Sequence, residues 1–127
     1  MKEKRKSTAV WFEIPAKDFG RAVEFYEKVF ATKLTADKAM PVKMAVFPYS
    51  DCNETTGCVK EDPKGAGGKN GVVVYLNTDG FLNDAIKRVQ QAGGKVLGPV
   101  IELPMDMGSY VLIEDTEGNK VGFHDAI

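Results

Sequence analysis

One pattern occurs twice in the sequence, and this repetition limits the possible folds more than any other feature. A strand pattern at 10–14 is followed by an amphipathic helix pattern and by a second short strand that begins near residue 34. The same order recurs at 73–97, with helix positions offset by 63 residues (85 − 22 = 63). The matched residues are Ala22, Val23, Tyr26 and Leu34 in the first copy and Ala85, Ile86, Val89 and Leu97 in the second. We therefore expect two copies of a strand–helix–strand–strand–strand (βαβββ) unit.

The first helix is the best-marked element of the repeat. Asp18 can cap the free amides of its first turn, and apolar residues recur at helical spacing as far as Phe30. The second helix follows Thr78 or Asp79, either of which offers a cap, and Gly93-Gly94 terminates it. Alternating or continuous apolar runs predict strands at 42–49, 57–60, 72–76, 95–97 and 100–103, and a hairpin of 109–114 with 120–124.

Composition divides the chain into segments but favours one compact domain. Residues 1–8 form a charged N-terminal tail, 9–60 the first module, and 71–127 the second. Between them, 61–70 is a Gly-rich linker. This linker is not a phosphate-binding loop, because Pro63 and Asn70 stand where that motif requires Gly and a hydroxyl residue.

Charge and hydropathy exclude several classes of partner. Seventeen basic and eighteen acidic residues give a net charge of −1, with no basic stripe that could follow a nucleic acid backbone. No stretch approaches the roughly 20 apolar residues of a membrane span, so we expect a soluble, cytoplasmic protein.

Cys52 and Cys58 are most simply interpreted as reduced thiols, although they could pair in a secreted chain.

Several short motifs together resemble a known family. They are Glu13-Ile14-Pro15, Asp18, Arg21-Ala22, the run Phe25–Phe30, and Asp115-Thr116-Glu117-Gly118-Asn119 before an apolar strand. The sequence resembles the vicinal oxygen chelate superfamily, and in particular its small glyoxalase and bleomycin-resistance-like relatives of lactoylglutathione lyase. The resemblance implies an α+β fold with two tandem βαβββ modules. Their curved mixed sheets would enclose a cavity, often completed by homodimerisation, for a small molecule and a divalent metal.

The resemblance also identifies where metal ligands would lie in this chain. The four positions fall on Trp11, Val73, Gly122 and Cys58. Trp11 and Val73 have no lone pair to offer a hard cation, and Gly122 has no side chain. A catalytic zinc uses three protein ligands, and the thiol of Cys58 alone does not make a site. We therefore expect no metal centre and no other cofactor, with a divalent metal as the alternative.

Strand parity predicts which side chains line the cavity. The expected ligand-binding residues are Trp11, Glu13, Cys58, Val73, Tyr75, Asn77 and His124. Among them Glu13 and His124 are the pair able to do acid–base chemistry at neutral pH, so they are the candidate catalytic residues. Each residue also has a structural interpretation: Trp11 and Tyr75 as packing residues, Glu13 as an ion-pair partner, and His124 as a solvated side chain.

Three functions are compatible with this sequence. A non-catalytic small-molecule binder fits the missing ligands and the aromatic side chains. A metal-dependent lyase, isomerase or dioxygenase fits the family but lacks an evident ligand set. A domain that docks onto another protein would expose its sheet edges or the loop that contains Met105 and Met107.

Overall fold

The computed structural model describes residues 7–37, 41–51 and 54–126, which form nine strands and two helices. In chain order these are β1 Trp11–Ala16, α1 Phe19–Phe30, β2 Thr35–Ala36, β3 Met44–Val46, β4 Thr56–Glu61, β5 Tyr75–Asn77, α2 Leu82–Gln91, β6 Lys95–Val96, β7 Ile101–Glu102, β8 Ser109–Glu114 and β9 Lys120–Asp125. Both helices and the terminal hairpin lie where the sequence predicted them. None of the described helices has the length and apolar character to cross a membrane.

The strands form two sheets with the same internal order. Sheet A has the order β1-β4-β3-β2, and sheet B has the order β5-β9-β8-β6, with the short β7 added beside β8. In each sheet the first strand of the unit pairs in parallel with the last, and the other pairs are antiparallel. A parallel pair requires a crossover connection, which the helix and middle strands supply. The predicted α+β class and the duplicated strand order are therefore confirmed.

The two helices begin differently, although their sequences are related. Asp18 caps α1 as predicted, because its carboxylate accepts a hydrogen bond from the Arg21 amide at 3.1 Å. The predicted cap of α2 is wrong: the residue before it is Phe81, which makes no side-chain cap. Instead Asp125, at the end of β9, accepts hydrogen bonds from the amides of Gly80 and Leu82. The cap comes from another strand, so local spacing could not reveal it.

Four predicted strands are shorter than their apolar runs, and two of them differ in a way that matters for the fold. The run at 42–49 yields only Met44–Val46, and the run at 72–76 yields a strand at Tyr75–Asn77. The second run is not a central strand, because β5 is an edge strand of sheet B. Val72 is 96% exposed and lies before the strand.

A single hydrophobic core joins the two modules. It contains the buried faces of α1 and α2 and the inner faces of both sheets, including Ile14, Val111 and Phe123. The ring of Phe30 in α1 packs edge-on against Phe81 and Phe123 of the second module, with centroids 5.7 and 5.3 Å away. Since both inner faces pack into one core, we infer that the opposite faces of the sheets point away from it.

A buried polar network fastens the terminal hairpin to the first module. The Tyr26 hydroxyl donates to Asp115 Oδ2 at 2.7 Å, and Asn119 Nδ2 donates to the Pro15 carbonyl at 2.7 Å. Arg21 contacts both carboxylate oxygens of Glu117, at 2.7 and 3.0 Å. The motifs that carry the family resemblance are thus largely the contacts between modules.

Candidate functional site

On sheet A, the face turned away from the core carries the first group of predicted site residues. Along β1, Trp11 and Glu13 are exposed, whereas Ile14 and Ala16 are buried, as the predicted parity requires. Trp11 Nε1 donates to Glu13 Oε2 at 3.3 Å, and Lys60 Nζ lies 3.4 Å from Glu13 Oε1. Glu13 therefore has the ion-pair partner that its structural interpretation proposed.

Cys58 lies beside Glu13 in the parallel pair of β1 and β4. The residue is fully buried, and burial, reinforced by the charge of Glu13, raises the pKa of its thiol to about 11. The thiol is therefore protonated at neutral pH, which makes it a poor nucleophile. Cys58 is a free thiol, and Cys52 lies outside the described residues.

On sheet B, the outer face carries the second group, centred on an aromatic pair. Tyr75 lies beside Gly122 in the parallel pair of β5 and β9. A Cβ atom on Gly122 would be 2.3 Å from the Tyr75 ring, so the ring lies over this glycine. Tyr75 also packs edge-on against Tyr110 at 5.5 Å, with an interplanar angle of 80°. Because Gly122 has no side chain, the Tyr75 ring can lie against its backbone and form, together with Tyr110, an aromatic surface that we call the Tyr75 wall.

His124 borders this aromatic wall and has one fixed hydrogen bond. It pairs with Tyr110 on one side and with Asn77 on the other. Its Nε2 lies 2.8 Å from the carbonyl oxygen of Met107. A carbonyl only accepts, so Nε2 carries the hydrogen, and Nδ1 of the neutral ring is an acceptor. Asn77 uses its carbonyl oxygen for the amide of Asp79, which leaves its NH₂ group as a donor.

The strand registers show which residues of the two modules are equivalent. Glu13 pairs with Cys58 in sheet A, as Tyr75 pairs with Gly122 in sheet B. Cys58 and Gly122 therefore occupy corresponding positions in their last strands. Val73 is half-buried and precedes β5.

The donor chemistry of these positions does not suit a divalent metal. Trp11 offers an indole, Val73 an isopropyl group and Gly122 no side chain, so the Cys58 thiol is the one donor among the four positions. In the ranges that the structure describes, no group of three or more His, Cys, Asp or Glu residues could hold a metal ion.

The structure brings the predicted site residues together as two groups. Trp11, Glu13 and Cys58 share sheet A, whereas Tyr75, Asn77 and His124 share sheet B. Within the described ranges, no hydrogen bond or ring contact links one group to the other. The predicted acid–base pair of Glu13 and His124 is thus divided between the sheets.

Sequence reasoning missed three contributors: Tyr110, Lys60 and the Met107 carbonyl. The alternation in 109–114 could have identified Tyr110, because it faces opposite to the buried Val111. Lys60 could also have been found, since it lies in a predicted strand two residues after Cys58. The Met107 carbonyl carries no sequence signal, because every residue has one.

Comparison with known proteins gives a consistent family assignment. The family model described as the glyoxalase/bleomycin resistance protein/dioxygenase superfamily matches residues 8–123. A glyoxylase-like domain-containing protein from Didymella fabae is 36% identical over 114 residues, which cover 84% of each chain.

Solved structures of low sequence identity share the fold. A glyoxalase/bleomycin resistance protein from Albidiferax ferrireducens has a TM-score of 0.71 at 13% identity and covers 94% of this chain and 99% of its own. Glyoxalase I from Zea mays has a TM-score of 0.66 at 22% identity over 91% of this chain, which spans 45% of the maize protein. The chain belongs to the glyoxalase/bleomycin resistance protein/dioxygenase superfamily.

Proposed function

We propose that this protein binds a small organic molecule with an apolar ring against the outer face of sheet B, without a divalent metal. The observation that carries the proposal is the Tyr75 ring lying over Gly122 beside Tyr110. Tyr75 remains 50% exposed, so much of its surface is available to a ligand. Small-molecule sites combine such apolar area with a few directional polar groups.

Two polar groups beside the wall supply that directionality. His124 offers Nδ1 as an acceptor, since Nε2 is held by the Met107 carbonyl. Asn77 offers its NH₂ group as a donor. A ligand that stacks on Tyr75 and carries a hydroxyl or amine beside the ring would satisfy His124. This arrangement supports binding, and it gives Glu13 no role in chemistry within the same chain.

The proposal includes a homodimer. Each chain would present the outer faces of both sheets to its partner. Exposed apolar side chains lie on both faces, Trp11 on sheet A and Leu97 and Ile101 on the side of sheet B. A second copy could place its Trp11 and Glu13 opposite Tyr75 and His124 and so close the site. Light scattering of the purified protein should give twice the chain mass, and a monomer at micromolar concentration would contradict this part.

The binding proposal can be tested with 2-naphthol as a probe, because it carries a hydroxyl beside an aromatic system. Tyr75→Ala should weaken its calorimetric affinity by at least about tenfold, equivalent to about 1.4 kcal/mol. Tyr49→Ala is the matched control, since Tyr49 is 59% exposed but does not belong to this wall. Equal affinities of the two variants would contradict the proposed site.

The alternative function is a metal-dependent lyase, isomerase or dioxygenase, which the family membership favours. Protein loaded separately with Ni²⁺, Zn²⁺, Mn²⁺ or Fe²⁺ and then desalted should retain well below one metal per chain by mass spectrometry. Retention of one equivalent per chain would overturn the metal-free proposal, and its loss in His124→Ala would place the metal beside the Tyr75 wall.

A further inference from the structure

A separate cleft opens between the two modules. Its volume is about 300 Å³, and its wall includes Phe12, Phe30, Phe47 and Phe81. Phe12 alternates with Trp11 and Glu13 along β1 and therefore faces away from them. We call this space the Phe cleft. Tyr75 and Tyr110 do not line it, although Asn77, which borders the Tyr75 wall, does.

The four rings form a connected aromatic lining. Phe47 packs against Phe12 at 5.7 Å and against Phe30 at 6.3 Å. Phe30 packs perpendicular to Phe81 at 5.7 Å. Aromatic rings favour such tilted and edge-on contacts, and a further ring can join them in the same way. Phe47 is buried and the other three rings are half-buried, so part of the aromatic lining remains exposed to solvent and is available to a ligand.

The polar groups of the Phe cleft carry no charge, and part of their capacity is already used. Its lining contains no acidic or basic residue. The Thr56 hydroxyl donates to the Phe47 carbonyl at 3.2 Å, and the Thr55 hydroxyl donates to the Ala9 carbonyl at 2.8 Å. A charged ligand would lose hydration here without gaining an opposite charge. The cleft therefore suits an uncharged, largely apolar molecule.

Volume limits the size of that molecule. An apolar cavity of about 150 Å³ holds one benzene ring, so the Phe cleft has room for about two fused rings. The N-terminal tail is a poor occupant, because residues 2–6 are all charged.

We propose that the Phe cleft is a second binding site, specific for an uncharged aromatic molecule of one or two fused rings. The site does not depend on the proposed function, because neither Tyr75 nor Tyr110 lines the cleft, although Asn77 borders both places. Thr32 lines the cleft just beyond the end of α1 and is half-buried. A substitution at this position should therefore not disturb the packing of the hydrophobic core.

Naphthalene titrated into the full-length protein tests this site, with binding followed by protein-detected NMR. We expect one molecule per chain and shifts confined to residues around the Phe cleft. Thr32→Asp should weaken binding by at least about tenfold, since it places a charge against an apolar ligand. Thr35→Asp is the matched control, because Thr35 is exposed in β2 and does not line the cleft. Melting temperatures would establish that both variants are folded.

Three results would overturn the proposal. The first is the absence of naphthalene binding, and the second is equal binding by Thr32→Asp and Thr35→Asp. The third is loss of binding in Tyr75→Ala, which would place naphthalene on the outer wall and support the proposed function instead. Because 2-naphthol is also uncharged with two fused rings, it should bind at both sites. Unchanged naphthalene binding by Tyr75→Ala, together with loss of one of two 2-naphthol equivalents per chain, would therefore support both sites separately.

Discussion

Replacing Tyr26 with Phe removes one oxygen atom from the buried contact between the modules. Tyr26 is 0% exposed, and its hydroxyl donates to Asp115, which is 3% exposed, at 2.7 Å. Burial, reinforced by the Asp115 carboxylate, raises the pKa of Tyr26 well above its usual value. The phenol therefore stays protonated and donates over the whole pH range in which the protein would be studied.

The expected loss follows from what Asp115 retains after the substitution. Its carboxylate still accepts hydrogen bonds from the Glu117 amide, the Asn119 amide and Asn119 Nδ2, at 2.9, 3.0 and 3.0 Å. A hydrogen bond to a charged group contributes about 1.5–3 kcal/mol. Because three donors remain, we expect the free energy of unfolding to fall by about 2 kcal/mol. In a chain of this size the melting temperature would fall by about 6–10 °C.

Urea denaturation followed by circular dichroism would measure the change, with Tyr75→Phe as the matched control. The Tyr75 side chain is half exposed, so losing its hydroxyl should change the free energy of unfolding by less than about 0.5 kcal/mol. If Tyr26→Phe were as stable as Tyr75→Phe, the buried network would not hold the modules together and the reasoning would be refuted.

Three further predictions concern other contacts. Burial raises the pKa of Glu117. Hydrogen bonds from the Arg21 guanidinium, the Asp18 backbone amide and the Thr116 hydroxyl outweigh this effect and lower the pKa below the usual 4.5. The stability that ionised Glu117 contributes is complete above pH 4.5 and is lost as the pH falls through the folded-state pKa. In urea titrations at decreasing pH, the free energy of unfolding of Glu117→Gln should therefore fall less steeply than that of the wild-type protein. Gly122→Ala should displace the Tyr75 ring and destabilise the protein by about 1–3 kcal/mol, which thermal unfolding would detect; an unchanged melting temperature would show that the ring moves freely. Cys58, with a buried thiol whose pKa is about 11, should react with a disulfide reagent far more slowly in native buffer than in urea, and equal rates would contradict its burial.

Local patterns in the sequence determined most of the secondary structure and the facing of each strand. Helical spacing predicted α1 at Phe19–Phe30, and alternation predicted the hairpin of β8 and β9. Parity correctly placed Trp11 and Glu13 opposite Ile14, because successive side chains of a strand point to opposite faces. These features depend only on neighbouring residues, so a single sequence contains the information.

The tertiary structure alone decided how the two sheets are placed and therefore which residues can act together. Phe30 packs on Phe123, and Tyr26 bonds Asp115 across 89 positions of sequence. Such contacts set the shared core, and they divide Glu13 and His124 between separate sheets. The α2 cap by Asp125 is a second case, since its partners lie more than 40 residues earlier. Periodicity gives the direction in which a side chain points but not the distance between strands. The sequence alone therefore determined which face of its strand each residue occupies, whereas tertiary packing determined which of these residues lie close enough to form a site.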